Sequence, residues 1–213
     1  MNPAAPSARL TPDAMAESVA ASELILGGQR SGKSRRAETL ARQWLDRSAA
    51  HRAVLVATAR PWDDEMRQRI ARHQADRALR VPGMQTVEEP LALGAAIERL
   101  SQPETLVVVD CLTLWLTNLL MPEDHATGQQ VFSEDDGAAL CREPLQALLA
   151  ALAQASGPVL LVGNEIGMGV IPMGAQVRSF VDNLGRLNQA VAQACGRVTL
   201  MVAGLPLTLK AGT

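Results

Sequence analysis

Apolar residues along this chain fall into short unbroken runs, separated by longer stretches in which they recur every three or four positions. The runs are Glu23–Leu26, Ala53–Ala57, Thr105–Val109, Pro158–Val162 and Val198–Val202. Each has strand length with little or no alternation, the pattern of a strand covered on both faces. Between them, Ser34–Arg47, Asp63–Arg77, Pro90–Leu100, Glu134–Ala155 and Gly174–Ala194 carry helical periodicity. Strands alternating with helices predict an α/β fold, a mostly parallel sheet with helices on both faces. Right-handed crossovers then place the strand carboxyl ends on one edge, where ligands bind. The tail Val198–Lys210 breaks at Gly204-Leu205-Pro206, which predicts an antiparallel C-terminal edge strand. Two segments are irregular: Pro122–Ser133, read as a mobile loop, and Gly163–Gly174. Residues 1–22, rich in Ala, Ser and Pro, read as a flexible extension, and residues 23–213 as a single domain.

Composition narrows the partners. The 213 residues are 47% hydrophobic but only 2% aromatic, with no tyrosine, so the core must be aliphatic. A net charge of −2 gives no reason to expect nucleic acid or an anionic membrane as partner. Cys111, Cys141 and Cys195 are odd in number and show no C-x-x-C spacing. They read as free thiols of a reducing compartment, not as a disulfide or zinc framework. No run approaches the roughly eighteen apolar residues of a membrane span. The first 22 residues lack the basic start and continuous apolar stretch of a signal peptide. These features predict a cytoplasmic protein.

The candidate chemistry begins where the first strand ends. Leu24-Ile25-Leu26 runs directly into Gly27-Gly28-Gln29-Arg30-Ser31-Gly32-Lys33-Ser34, which is G-x-x-x-x-G-K-S. Glycines at its two ends let the backbone curl so that successive N–H groups converge on an anion. Lys33 supplies a point charge for β- and γ-phosphates, and the Ser34 hydroxyl is placed to hold Mg²⁺. The following helix adds its positive N-terminal end. Such a loop binds a nucleoside triphosphate. Thr105–Asp110 is a second apolar run that ends in a carboxylate, as a metal-side strand beside a phosphate loop does. Asp110 can also cap the helix that follows.

In Asp63–Arg77, Arg69, His73 and Arg77 fall at i, i+4 and i+8 and so share one stripe of a helix. A histidine there offers a ring nitrogen as nucleophile, with arginines to hold a phosphate. A solvated charged face explains the same spacing, and the pattern alone favours that reading. Asn164–Pro172 follows the fourth strand and is dense in glycine, as a substrate-binding loop or a plain crossover can be. Arg178, Arg186 and Asn188 lie on the next helix and can face the same cleft or solvent.

Taken together, these segments resemble the bifunctional adenosylcobinamide kinase/adenosylcobinamide-phosphate guanylyltransferase family of cobalamin biosynthesis (the CobU/CobP family). The resemblance covers about Glu23 to Lys210. It is carried by the loop at Gly27–Ser34, A-T-A at Ala57–Ala59 and D-D-E-M…R-I-x-x-H at Asp63–His73. It is carried further by D-C-L-T-x-W-x-T-N-L-L at Asp110–Leu120, N-E-x-G-x-G at Asn164–Gly169 and G-R-x-N-Q at Gly185–Gln189.

The resemblance implies a P-loop NTPase-like (RecA-like) fold and two activities. The first is phosphorylation of adenosylcobinamide with ATP or GTP. The second is transfer of GMP from GTP to that phosphate through a guanylyl-histidine, with Mg²⁺ in attendance. It makes His73 the nucleophile and Lys33 catalytic, while His51 and His125 fall outside the family's motifs. It places nucleotide contacts at Gly27, Gly28, Gln29, Arg30, Ser31, Gly32, Lys33 and Ser34, at Ala57, Thr58 and Ala59, and at Gln74, Ala75, Asp76, Arg77, Glu88 and Asp110. The metal-side residues are Ser34 and Asp110. It also implies a ring-like homo-oligomer and a corrinoid substrate, with Asn164–Pro172 assigned to part of its pocket wall. The alternatives are a monofunctional P-loop small-molecule kinase, or a GTPase-type switch. The N-K-x-D base-specificity motif of such switches is absent.

Overall fold

The computed structural model describes residues 18–61, 63–122 and 137–211; of Arg69 and of residues 137–140 only the backbone is described. Successive side chains of a strand point to opposite faces, and here both faces are covered. Leu24 and Leu26 of β1 (Ser22–Gly27) face one aliphatic layer and Ile25 the other. The same division repeats in β4 (Thr105–Asp110), with Val107 and Val109 opposite Leu106 and Val108, and in β5 (Val159–Val162). This two-sided burial is why these strands read as unbroken apolar runs.

The face that carries Ile25 is covered by α1 (Lys33–Asp46) through Ala37, Leu40 and Ala41. The face that carries Leu24 and Leu26 is covered by α3 (Leu93–Leu100), α4 (Leu112–Leu120), α5 (Gly137–Gln154) and α6 (Ala175–Ala194). With β2 (Arg52–Ala57), β3 (Gln85–Glu88), β6 (Arg197–Val202) and β7 (Leu205–Lys210), the sheet has the order β3-β2-β4-β5-β1-β6-β7. All pairs are parallel except β6–β7, so the expected antiparallel edge strand is present. The helix α2 (Asp64–Arg80) crosses from β2 to β3 and meets α1 through Arg80, whose guanidinium lies 3.0 Å from Glu38.

The structure extends the sequence expectation in three places. The edge strand β3 is additional: its Q-T-V-E sequence is mostly exposed and carries no apolar run. The nine-residue helix α4 gives bounds to the helix read as following Asp110; Cys111 stands at its N-cap with no side-chain cap bond, so Asp110 does not take the capping position. The helix expected at Pro90 begins at Leu93, because the Glu89 carboxylate first turns the chain by accepting from the Leu91 and Ala92 N–H groups at 3.1 and 2.8 Å. Residues 1–17 and 123–133, which include most of the two segments read as flexible, and His125 with them, lie outside the described residues. No helix among the described residues is long and apolar enough to cross a membrane.

Among the described residues, Glu23 is the most deeply buried charged group. Glu23 on β1 is 0% exposed and accepts from Arg36 Nε at 3.0 Å and Thr199 Oγ1 at 2.8 Å, with Arg197 Nη1 3.6 Å away. It ties β1 to α1 and β6 directly beneath the phosphate loop. Removing one partner of a buried ion pair is strongly destabilising. Glu23→Ala is expected to lower the unfolding free energy by about 3 kcal/mol, read from urea titration; a loss under about 1 kcal/mol would match an exposed pair instead.

Candidate active site

The phosphate loop is shaped by what its glycines cannot carry. Gly27 has φ 151, and a Cβ there would meet Ser31 Oγ at 2.5 Å and the Met201 carbonyl at 2.6 Å. Gly32 has φ 102, a left-handed conformation that places it at the N-cap of α1 without a side chain. The first amides of α1 have no intrahelical acceptor and no side-chain cap, which leaves them to an anion. Lys33 is buried and donates from Nζ to the Gly28 carbonyl at 2.6 Å, back across the loop. Burial lowers its pKa, while the charges of Cys111 and Asp110 work in the opposite direction. The Ser31 hydroxyl is buried without a partner, a polar atom turned into the turn itself.

The sheet register gathers other predicted residues. Glu88, Ala57, Asp110, Val162, Ile25 and Thr199 lie side by side across six strands. Glu88, Ala57 and Asp110 therefore end their strands together on the carboxyl edge. Thr58 follows and is fully buried: its Oγ1 donates to the Cys111 carbonyl at 2.8 Å and accepts from the Cys111 N–H at 2.9 Å. Asn118 of α4 donates to the carbonyls of Thr58 and Pro90 at 2.8 and 3.1 Å. The A-T-A segment thus braces the chain at Asp110, with the Thr58 hydroxyl committed to that brace. The Asp110–Cys111 peptide is cis. Burial pushes the Cys111 thiol up to about 11, so it is not a nucleophile at neutral pH.

His73 is placed differently. It is exposed on α2, as are Gln74 and Ala75, while Asp76 is half-buried and pairs with Arg80 at 3.4 Å. Arg77 of the predicted stripe is buried and turns to β3, donating to Thr86 Oγ1 at 3.5 Å. The structure therefore places the phosphate loop, Ala57, Thr58, Glu88 and Asp110 along the carboxyl edge of one sheet, and leaves His73 exposed on α2 with Gln74 and Ala75. His51 is structural, stacked on Trp44 with ring centroids 3.9 Å apart.

Sequence reasoning overlooked the braces: Asn118, Thr113, whose Oγ1 accepts from the Asn164 N–H at 2.9 Å, and Gly204, whose N–H donates to the Ser31 carbonyl at 3.0 Å. Each joins segments far apart in the chain, so no local spacing announces them. Of the α6 residues, Asn188 faces Asn164 and Glu165, whereas Arg178 holds the Pro172 and Met173 carbonyls and Arg186 lies 3.4 Å from Asn183 Oδ1.

A glycine-bounded turn closing on a buried lysine, two strands from an aspartate that ends its own strand, is the working edge of a P-loop nucleotide-binding protein. Among solved structures, the flagellar accessory protein FlaH from Methanocaldococcus jannaschii aligns with a TM-score of 0.47 at 10% identity, covering 90% of this chain and 79% of that one. The chain belongs to the CobU family, described as cobinamide kinase / cobinamide phosphate guanyltransferase, whose model matches residues 23–209. It is 45% identical over 188 residues to the bifunctional adenosylcobalamin biosynthesis protein CobP of Pseudomonas aeruginosa, covering 88% of this chain and 96% of that protein. It is 35% identical over 190 residues to the corresponding CobU protein of Escherichia coli, covering 88% and 98%.

Proposed function

We infer that this chain is a bifunctional transferase of cobalamin biosynthesis. It phosphorylates adenosylcobinamide with ATP or GTP, then transfers GMP from GTP onto the new phosphate to give adenosylcobinamide-GDP. The observation that carries this reading is the family match over residues 23–209, joined to an intact phosphate loop around Lys33.

In the first reaction the loop amides and Lys33 hold the β- and γ-phosphates, so catalysis rests on positioning and charge neutralisation. Ser34 at the first turn of α1 and Asp110 would hold Mg²⁺. Its remaining ligands would be phosphate oxygens and water. Bound there, Mg²⁺ neutralises charge on the phosphate oxygens.

In the second reaction a ring nitrogen of His73 bonds to the α-phosphorus of GTP as pyrophosphate departs. The phosphate of the acceptor then displaces the histidine. His73 lies nine residues into α2, about 14 Å along the helix from Asp64, and faces solvent. Its helix is held at the other end by Arg77 and Arg80. The reading therefore requires α2 to swing about that tether to bring His73 to the nucleotide. Ala57, Glu88 and the Gln74–Arg77 turn are the proposed nucleoside contacts.

The proposed homo-oligomer has a candidate face in β7, where Leu205, Leu207 and Leu209 are exposed along an edge strand. The site is read as serving a soluble, cytoplasmic corrinoid pathway.

The test is product analysis with adenosylcobinamide, Mg²⁺ and GTP. Sequential appearance of the phosphate and then the GDP derivative is expected. Hydrolysis of GTP with neither product overturns the reading in favour of a nucleotide switch. The phosphate alone would leave a monofunctional kinase.

A further inference from the structure

The loop after β5 holds a carboxylate that the site so far does not use. Beyond Val162 the chain stays hydrogen-bonded to β1: the Gly163 N–H donates to the Ile25 carbonyl at 3.0 Å and the Glu165 N–H to the Gly27 carbonyl at 3.1 Å. Glu165 is thereby fixed against the first glycine of the phosphate loop. Its strand lies between β1 and β4, hence between the loop and Asp110. Asp110 pairs with Val162, so the Glu165 backbone stands three residues farther along, about 10 Å beyond that of Asp110. Its bond to Gly27 sets it beside the entry to the phosphate loop.

The Glu165 side chain is held as well as placed. Oε1 accepts from the Gly167 N–H at 3.1 Å, and Asn188 Nδ2 lies 3.5 Å from Oε2 while donating to the Asn164 carbonyl at 3.0 Å. Asn188 is 4% exposed, and its Oδ1 is buried without a partner. A buried amide with one end unsatisfied is costly, and here its other end points at the carboxylate. Beyond Glu165, Met168 (79% exposed) and Ile171 (78% exposed) present apolar side chains to solvent on the same loop. The loop thus offers a proton acceptor at its base and an apolar arm beside it.

We propose that Glu165 is the general base of the phosphoryl-transfer reaction, accepting the proton of the acceptor hydroxyl, and that Asn188 positions it. This rests on the function inferred above. The hydroxyl oxygen bonds to the γ-phosphorus while its proton passes to a Glu165 carboxylate oxygen. The bond from γ-phosphorus to the bridging oxygen breaks, and its electron pair leaves on the nucleoside diphosphate. The protonated carboxyl then returns its proton to water. The second reaction needs no such base, because its acceptor is a phosphate that is already anionic at neutral pH. The two half-reactions therefore differ in their demand for Glu165.

The experiment measures both half-reactions in Glu165→Gln: phosphorylation of adenosylcobinamide, and guanylyl transfer to separately prepared adenosylcobinamide phosphate. Gln keeps the acceptor for Gly167, while Asn188 keeps its bond to the Asn164 carbonyl. Phosphorylation kcat is expected to fall about 10²- to 10⁴-fold, with nucleotide KM and melting temperature unchanged and guanylyl transfer within about threefold. Asn188→Ala should lower phosphorylation kcat about tenfold with the same split. If the Gln variant does not fold, Glu165→Asp, which withdraws the carboxylate by one methylene, must show the split. Equal losses in both half-reactions, or no loss in either, overturn the proposal. Absence of both activities in the unaltered protein would instead overturn the parent function.

Discussion

His73→Ala is expected to phosphorylate adenosylcobinamide at close to the normal rate and to lose guanylyl transfer by at least about 10⁴-fold, the scale of deleting a covalent nucleophile. The separation follows from placement. On the proposed reading phosphoryl transfer uses the loop around Lys33 and the end of β4 at Asp110, whereas His73 is exposed on α2. A phosphoramidate of histidine is acid-labile, so α-labelled GTP should leave acid-labile radioactivity on the unaltered protein and none on the variant. Label on the variant would assign the nucleophile to another residue. Equal loss of phosphorylation would mean that His73 serves the nucleotide site generally. Because Arg77 and Arg80 hold the C-terminal end of α2, the substitution removes no contact that anchors the helix.

Lys33→Ala is expected to lower kcat/KM for both reactions by about 10³-fold, the effect of removing a pre-aligned charge. If both reactions draw on a triphosphate held in this loop, as proposed, the losses run in parallel. Lys33 is also part of the loop's own architecture through the Gly28 carbonyl. Weaker nucleotide affinity should therefore accompany the slower chemistry, and equilibrium binding of a fluorescent GTP analogue measures that part. Lys33→Arg is not expected to rescue, because a planar guanidinium cannot replace a compact ammonium in so tight a turn. Retention of either activity above about a tenth would remove the loop from that reaction.

The parts legible in the sequence were those whose signal is local. The phosphate loop is an unbroken string, and the strands on either side of it are buried on both faces, which leaves no polar alternation to blur them. Gln85–Glu88 escaped because an exposed edge strand needs no apolar run. The Leu112–Leu120 helix escaped as a separate element because it is apolar on nearly every side, and its burial of Trp115 and Leu116 against α-helical neighbours leaves no polar face to set a period. Within the site, Asp110 was legible as the end of a strand. The Thr58 and Asn118 contacts that brace the chain around it join residues 53 and 60 positions apart, a separation at which spacing carries no information. The row that aligns Glu88 with Ala57 and Asp110 likewise emerges only once β3 is paired.

The turn at Ala203 and Gly204 leans on the phosphate loop, with the Gly204 N–H on Ser31 and the Met201 carbonyl packed where Gly27 has no side chain. The cradle after β1 therefore borrows a wall from the turn between β6 and β7, more than 160 residues farther along. During synthesis β6 emerges only after β1–β5. A nascent chain stopped short of β6 would carry the complete glycine signature yet lack the buttress that gives it shape.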